Sequence, residues 1–226
     1  MAEGSAAARD EAAALLSMMQ RVLGRDHPDT LAARSELARL TGDAGDAAAA
    51  RDQFAALLPV LARVLGGEHP DTLTARSELA RWTGEAGDAV GARDQFAALL
   101  SVRARSLGPH HRRTLAVRNN LANWTGQAGD PDGARDEYAR LVPIYLDEFG
   151  PEHPRTLDVR ARLAAWIGLA GDSAAASNQY AALLPAYERT FGQKHPATLA
   201  IRRSLTFWTR RAGKRQRKWG RPTGKD

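Results

Sequence analysis

The chain has 226 residues, a formal net charge of +6 and no cysteine, which excludes disulfides, thiolate chemistry and Cys-ligated zinc. The charge is uneven: residues 202–226 hold ten Lys and Arg against the single acid Asp226, and the rest of the chain is slightly acidic. The start, Met1-Ala2-Glu3-Gly4, has no basic n-region, and the apolar run from Ala12 to Leu16 is too short for a signal core or a membrane span. A cytoplasmic protein without membrane contact is expected, and its Arg-rich, Ala-rich composition fits a high-GC bacterial genome.

Five histidines stand 42 residues apart: His27, His69, His111, His153 and His195. Four are followed by proline (Pro28, Pro70, Pro154, Pro196), and each by threonine three residues on (Thr30, Thr72, Thr114, Thr156, Thr198). A fixed period of this length marks a tandem structural repeat whose core grows by stacking copies. In chain order, residues 1–24 come first and align with the second half of a copy. Arg9 matches Arg51, Leu15 and Leu16 match Leu57 and Leu58, and Leu23-Gly24 matches Leu65-Gly66. They are expected to form an orphan cap helix, with Met18 and Met19 as adaptable apolar groups that pack internally or make an end-to-end contact.

The array proper spans 25–209, four full copies plus one half copy. In residues 25–66 the Pro28-Asp29-Thr30 start suits a helical first turn. A first helix with apolar Leu31, Leu37, Ala38 and Leu40 then runs to about Thr41, and Gly42 and Gly45 are read as its stop. Asp46 is the expected N-cap of a second helix from about Ala47 to Leu65. Its stripe Ala50, Phe54, Leu57, Leu58, Leu61, Leu65 follows one helical face. The stripe recurs as Ala92, Phe96, Leu99, Leu100, Leu107 and in two further copies, while Trp82, Trp124, Trp166 and Trp208 replace Leu40. No segment alternates at period two, so the fold is all-α. Residues 210–226 form a basic tail expected to be disordered.

A zinc site needs three or four converging ligands, and one histidine per copy gives a row. The five histidines are therefore read as lattice residues that cap or pack at the repeat junction, with no metal and no cofactor. The repeated arginines Arg34, Arg76, Arg118, Arg160 and Arg202 are read as buried stems paired with carboxylates such as Asp46 or Asp52. No phosphate loop and no Ser-His constellation is present, so the chain is not expected to be an enzyme.

Helix pairs with a glycine turn and a small–aromatic step such as Ala50/Phe54 resemble tetratricopeptide repeats. The signature Leu-Gly-x-x-His-Pro-x-Thr, then Leu-Ala, then Gly-Asp, resembles the longer kinesin-light-chain variety, which recurs in bacterial proteins. The match runs over about residues 5–209. It departs at Arg112, where proline is expected, and at Arg210 and Lys214, where Gly and Asp are expected. The resemblance implies a right-handed superhelical solenoid of antiparallel helix pairs whose first helices line a concave, non-catalytic peptide-binding groove. The matching positions are Glu36, Arg39, Glu78, Arg81, Asn119, Asn120, Asn123, Arg162 and Arg203, beside Ser35 and Ser77. Asn119-Asn120-Leu121-Ala122 matches the run with which kinesin light chains hold peptide backbone, a role suited to a donor–acceptor side chain. The implied partner is a protein or extended peptide, acidic where the groove turns basic toward the C-terminal half. Two alternatives stand beside it. One is nucleic-acid or anionic-surface binding through Arg210, Arg211, Lys214, Arg215, Arg217, Lys218 and Trp219. The other is an accessory or fragment of a larger bacterial regulatory protein, able to assemble end to end.

Overall fold

A computed structural model describes residues 2–219, with side chains described for residues 7–214. Among the described residues there are ten α-helices and no strand: α1 (Ala2–Val22), α2 (Pro28–Asp43), α3 (Ala47–Val64), α4 (Pro70–Glu85), α5 (Ala89–Leu107), α6 (Arg112–Gln127), α7 (Pro131–Phe149), α8 (Pro154–Leu169), α9 (Ser173–Phe191) and α10 (Pro196–Trp219). They fall into two compact units, residues 1–124 and 125–226, divided within α6. In the first unit α1 packs on α2, α2 on α3, α3 on α4 and α4 on α5. In the second, α7 packs on α8, α8 on α9 and α9 on α10.

The repeat signature explains the helix starts. Nδ1 of His27, His69, His111, His153 and His195 accepts a hydrogen bond from the backbone N–H two residues on, each at 3.2 Å. The histidines therefore occupy a role more often filled by Ser, Thr, Asp or Asn. Asp46, Asp88, Asp130 and Asp172 cap the alternate helices, accepting from Ala49, Gly91, Gly133 and Ala175 at 2.7–2.9 Å. The threonine of the signature is fully buried in every copy, and in the last three its hydroxyl donates to a carbonyl of the preceding helix: Thr114 to Arg103, Thr156 to Tyr145, Thr198 to Tyr187. The backbone turns at Gly45 (φ +104) and Gly66 (φ +105), where a side chain would be strained.

Each second helix buries most of the stripe read from its period, although Leu58, Leu65 and Leu100 are half-buried and Leu107 is exposed. In the first unit the buried part is Ala50, Phe54, Leu57 and Leu61 on α3, then Ala92, Phe96 and Leu99 on α5. In the second it is Ala134, Tyr138, Leu141 and Tyr145 on α7, then Ala176, Tyr180, Leu183 and Tyr187 on α9. Burial pushes the Tyr138 phenol well above its ordinary range and that of Tyr187 up to about 12, so both rings pack as neutral groups.

Three expectations need correction. Gly42 lies inside α2 and does not stop it. A Cβ placed on Gly42 would overlap the Trp82 ring, and Gly84 stands likewise under Trp124, Gly126 under Trp166 and Gly168 under Trp208. Each is a seat for the tryptophan 40 residues on, where only a bare Cα admits the ring at packing distance. Arg34 does not use the expected aspartates either. Asp46 is committed to capping, and Asp52 lies beside Arg51 at 2.8 Å. Arg202 instead reaches Glu188, one helix back, at 2.5 Å. Finally, the backbone of α10 stays helical past Thr209 to Trp219, in place of the irregular tail expected from residue 210. With Arg210 and Lys214 at the usual Gly and Asp positions, neither breaker interrupts it.

Candidate functional site

In the first unit, α2 and α4 carry one set of groove positions each. Ser35, Glu36, Arg39 and Glu78 line a cavity of about 240 Å³ whose other walls include Pro28, Asp71, Thr74 and Ala75. Phe54, Leu61 and Leu65 from α3 and its C-terminal end supply an apolar part of the lining.

The polar groups are held by their own helices. Arg39 Nε donates to Glu36 Oε2 at 2.9 Å, and its Nη1 also donates to Asp43. The hydrogen bond from Arg39 holds the Glu36 carboxyl below the usual carboxylate range, against the opposing effect of desolvation. On α4, Arg81 donates to Glu78 Oε2 at 2.7 Å, and its guanidinium carbon lies 3.7 Å from the centroid of the Trp82 ring. A planar guanidinium can stack and pair at once. Asn119 and Asn123 on α6 are half-buried and Asn120 is exposed.

The second unit carries the two remaining groove positions. Arg162 on α8 donates through Nε to Asp158 Oδ2 at 2.8 Å. Arg203 on α10 is exposed beside Leu199, Arg202, Thr206, Phe207, Arg210, Arg211 and Lys214, which border an open depression of about 710 Å³. Of the seven residues read as a nucleic-acid contact, Arg210, Arg211 and Lys214 are exposed on this helix, and Arg211 lies 6.0 Å from the Trp208 ring. The side chains of Arg215, Arg217, Lys218 and Trp219 lie outside the described residues.

Two elements were missed at the level of sequence. The glycine–tryptophan seats were visible as a spacing of 40 residues repeated four times, but both residue types also have simpler readings as breaker and core. The other is Arg103 on α5, 4 % exposed, with Nε and Nη1 buried and without a hydrogen-bond partner. Its signal was a gap in the second apolar stripe, where Leu61 of the preceding copy has an arginine equivalent. Among the described residues no group of three His, Asp or Glu side chains converges, and no helix is long and apolar enough to cross a membrane.

Capped helix pairs in tandem, each burying a small–aromatic stripe and seating tryptophan on glycine, define a helical-hairpin repeat protein. The tetratricopeptide repeat family profile matches residues 30–71, 72–113 and 114–155, more than half of the chain, in three consecutive 42-residue blocks. The chain belongs to the tetratricopeptide repeat family. It is similar in structure to a Podospora anserina protein described as a kinesin light chain with nearly identical TPR-like repeats, and equally to a singly substituted form of that protein. In each case the TM-score is 0.71 at 26 % identity, covering 84 % of this chain and 90 % of the other. BtubC (BKLC) from P. vanneervenii is similar in fold, with a TM-score of 0.68 at 18 % identity over 96 % of this chain and 94 % of that one. No curated protein matches the chain.

Proposed function

We propose that the protein is a non-catalytic interaction module that receives an extended peptide segment of a partner protein along the first-helix face of its first unit. The observation that carries this reading is the cavity between α2 and α4, where an apolar floor meets Ser35, Glu36, Arg39 and Glu78. Tetratricopeptide repeats typically mediate protein–protein contacts. The copies agree at their caps and stripes and differ at the equivalent positions Glu36, Glu78, Asn120, Arg162 and Ser204, so discrimination between partners would reside there.

Peptides selected from a random library against the full chain test it. Hydrogen exchange with a selected peptide bound should show protection on α2, α4 and α6. Replacing Asn119 and Asn123 together by alanine should weaken binding about tenfold, the loss of one or two hydrogen bonds. Unchanged affinity in that double variant, or protection confined to α10, sinks the groove reading. In the second case Arg210, Arg211 and Lys214 become the contact, and a steep fall of nucleic-acid affinity with salt identifies it.

A second reading, end-to-end assembly, is favoured by two exposures. Leu199 on α10 is 41 % exposed, whereas its equivalents Leu31, Leu73, Leu115 and Leu157 are buried. Leu15 on α1 is 52 % exposed, whereas Leu57, Leu99, Leu141 and Leu183 are buried. A contact of α10 of one copy with α1 of the next would cover both leucines and would be heterologous. The expected outcome is that Leu15→Glu and Leu199→Glu are each monomeric in sedimentation, and that mixing them yields a one-to-one dimer that grows no further. Failure of the mixture to dimerise removes this reading.

A further inference from the structure

Arg103 is a buried cation that the fold does not explain. Its equivalents in the other copies are Leu61, Tyr145 and Tyr187, all buried and all able to pack without a counter-ion. Arg103 is as buried as they are, yet its Nε and Nη1 donors find no acceptor. An isolated charge in such a place costs several-fold more than the methyl groups it displaces gain. A leucine there would pack as Leu61 does.

The second departure in this copy falls beside the first. His111 is followed by Arg112 and Arg113 where the first two copies have proline and aspartate, Pro28-Asp29 and Pro70-Asp71. The hydroxyl of Thr114, next to Arg113, donates to the carbonyl of Arg103 at 3.3 Å, so the two segments touch. Burial, and then the positive charge of Arg113, lower the Arg103 guanidinium from its ordinary value. No carboxylate offsets them. In the preceding copy the equivalents of these residues, Leu61 and Asp71, both line the cavity between α2 and α4. The same lattice positions one copy on therefore hold two cations, Arg103 buried and Arg113 exposed, where the earlier cavity has a leucine and an acid.

We propose that Arg103 and Arg113 form a receiving site for an oxyanion in the first unit, on the groove side of α5 and α6. Its natural occupant is a carboxylate of the bound peptide, a step that rests on the groove reading above; a free phosphate has the same chemistry and is the other source. Charge-assisted N–H···O bonds would supply the acceptors that Arg103 lacks, and Arg113 would add attraction at the rim. The site costs stability while empty, a trade between stability and function that a purely structural residue would not show.

The full chain is titrated with a capped hexaglutamate peptide, its hexaglutamine counterpart and inorganic phosphate, reading the Arg Nε–H resonances and the melting temperature. Wild type should bind hexaglutamate at least tenfold more tightly than hexaglutamine and shift the Arg103 Nε–H signal. Arg103→Leu and Arg113→Asp should each abolish that discrimination, and Arg105→Gln, which removes an exposed charge from the same helix, should retain it. Without ligand, Arg103→Leu should melt several degrees above wild type. If phosphate shifts the Arg103 signal and hexaglutamate does not, the oxyanion site stands and its source is a small anion. If both peptides bind equally and binding survives Arg103→Leu, the groove reading stands and the oxyanion site falls. If neither peptide nor phosphate moves the Arg103 signal, the site is overturned whatever the groove binds.

Discussion

Replacing Phe96 with alanine is expected to destabilise the first unit by about 3–5 kcal/mol, the cost of an emptied aromatic site in a packed core. Phe96 is fully buried on α5, within a cluster that holds Leu73, Ala80, Ala92, Leu99, Val117 and Trp124. No neighbour in that cluster is long and flexible enough to fill the void, so the cavity should persist. Because stability in repeat arrays is close to a sum of neighbour contacts, the loss should concentrate near the substituted pair. Hydrogen exchange should therefore quicken most in α4 and α5, and the urea midpoint should fall. Equal acceleration across all helices, or an unmoved midpoint, would falsify the assignment of Phe96 to a local core.

The second large effect concerns the glycine seats. In an ordinary exposed helix Gly→Ala stabilises by about 1 kcal/mol. At Gly42 the sign should reverse, because the new methyl group would overlap the Trp82 ring, and overpacking costs roughly 1–3 kcal/mol. Trp82→Ala alone should cost about 3–5 kcal/mol, since the ring is 4 % exposed and reaches between α2 and α4. The double variant should cost less than the two single losses added together, because the clash disappears with the ring. Thermal or urea unfolding of the four proteins of this cycle measures it. Strict additivity would mean that Gly42 and Trp82 do not meet.

Much of this fold was legible in the sequence, and particular residues show why. Phe54, Leu57 and Leu61 were assigned to one buried face from spacing alone, because a helix places every third or fourth side chain on one side. Asp46 was readable as a cap because its short acceptor suits the free N–H groups of a first turn. The groove was less legible. Glu36, Arg39, Glu78 and Arg81 were named through resemblance, and their ion pairs within single helices depend on rotamers that spacing permits but does not select. Arg34 and its equivalents show the same limit: a carboxylate partner was expected, and the choice of Glu188 by Arg202 follows from which helix packs behind α10.

What the sequence determined by itself is the period, the helix starts and most of the buried stripes. These are local: they follow from 3.6 residues per turn, from capping chemistry and from five near-copies that repeat the same pattern. What only the tertiary structure decided is how residues about 40 apart meet. The bare Cα of Gly42 received the Trp82 ring, and Arg103 was enclosed without an acceptor. A contact between helices depends on the distance and rotation at which two surfaces pack, and no single helix encodes either. The histidine ladder belongs to the first kind, since each ring caps a helix through the N–H two residues ahead of it. Arg103 and Arg113, by contrast, gain their meaning only where α5 and α6 come together.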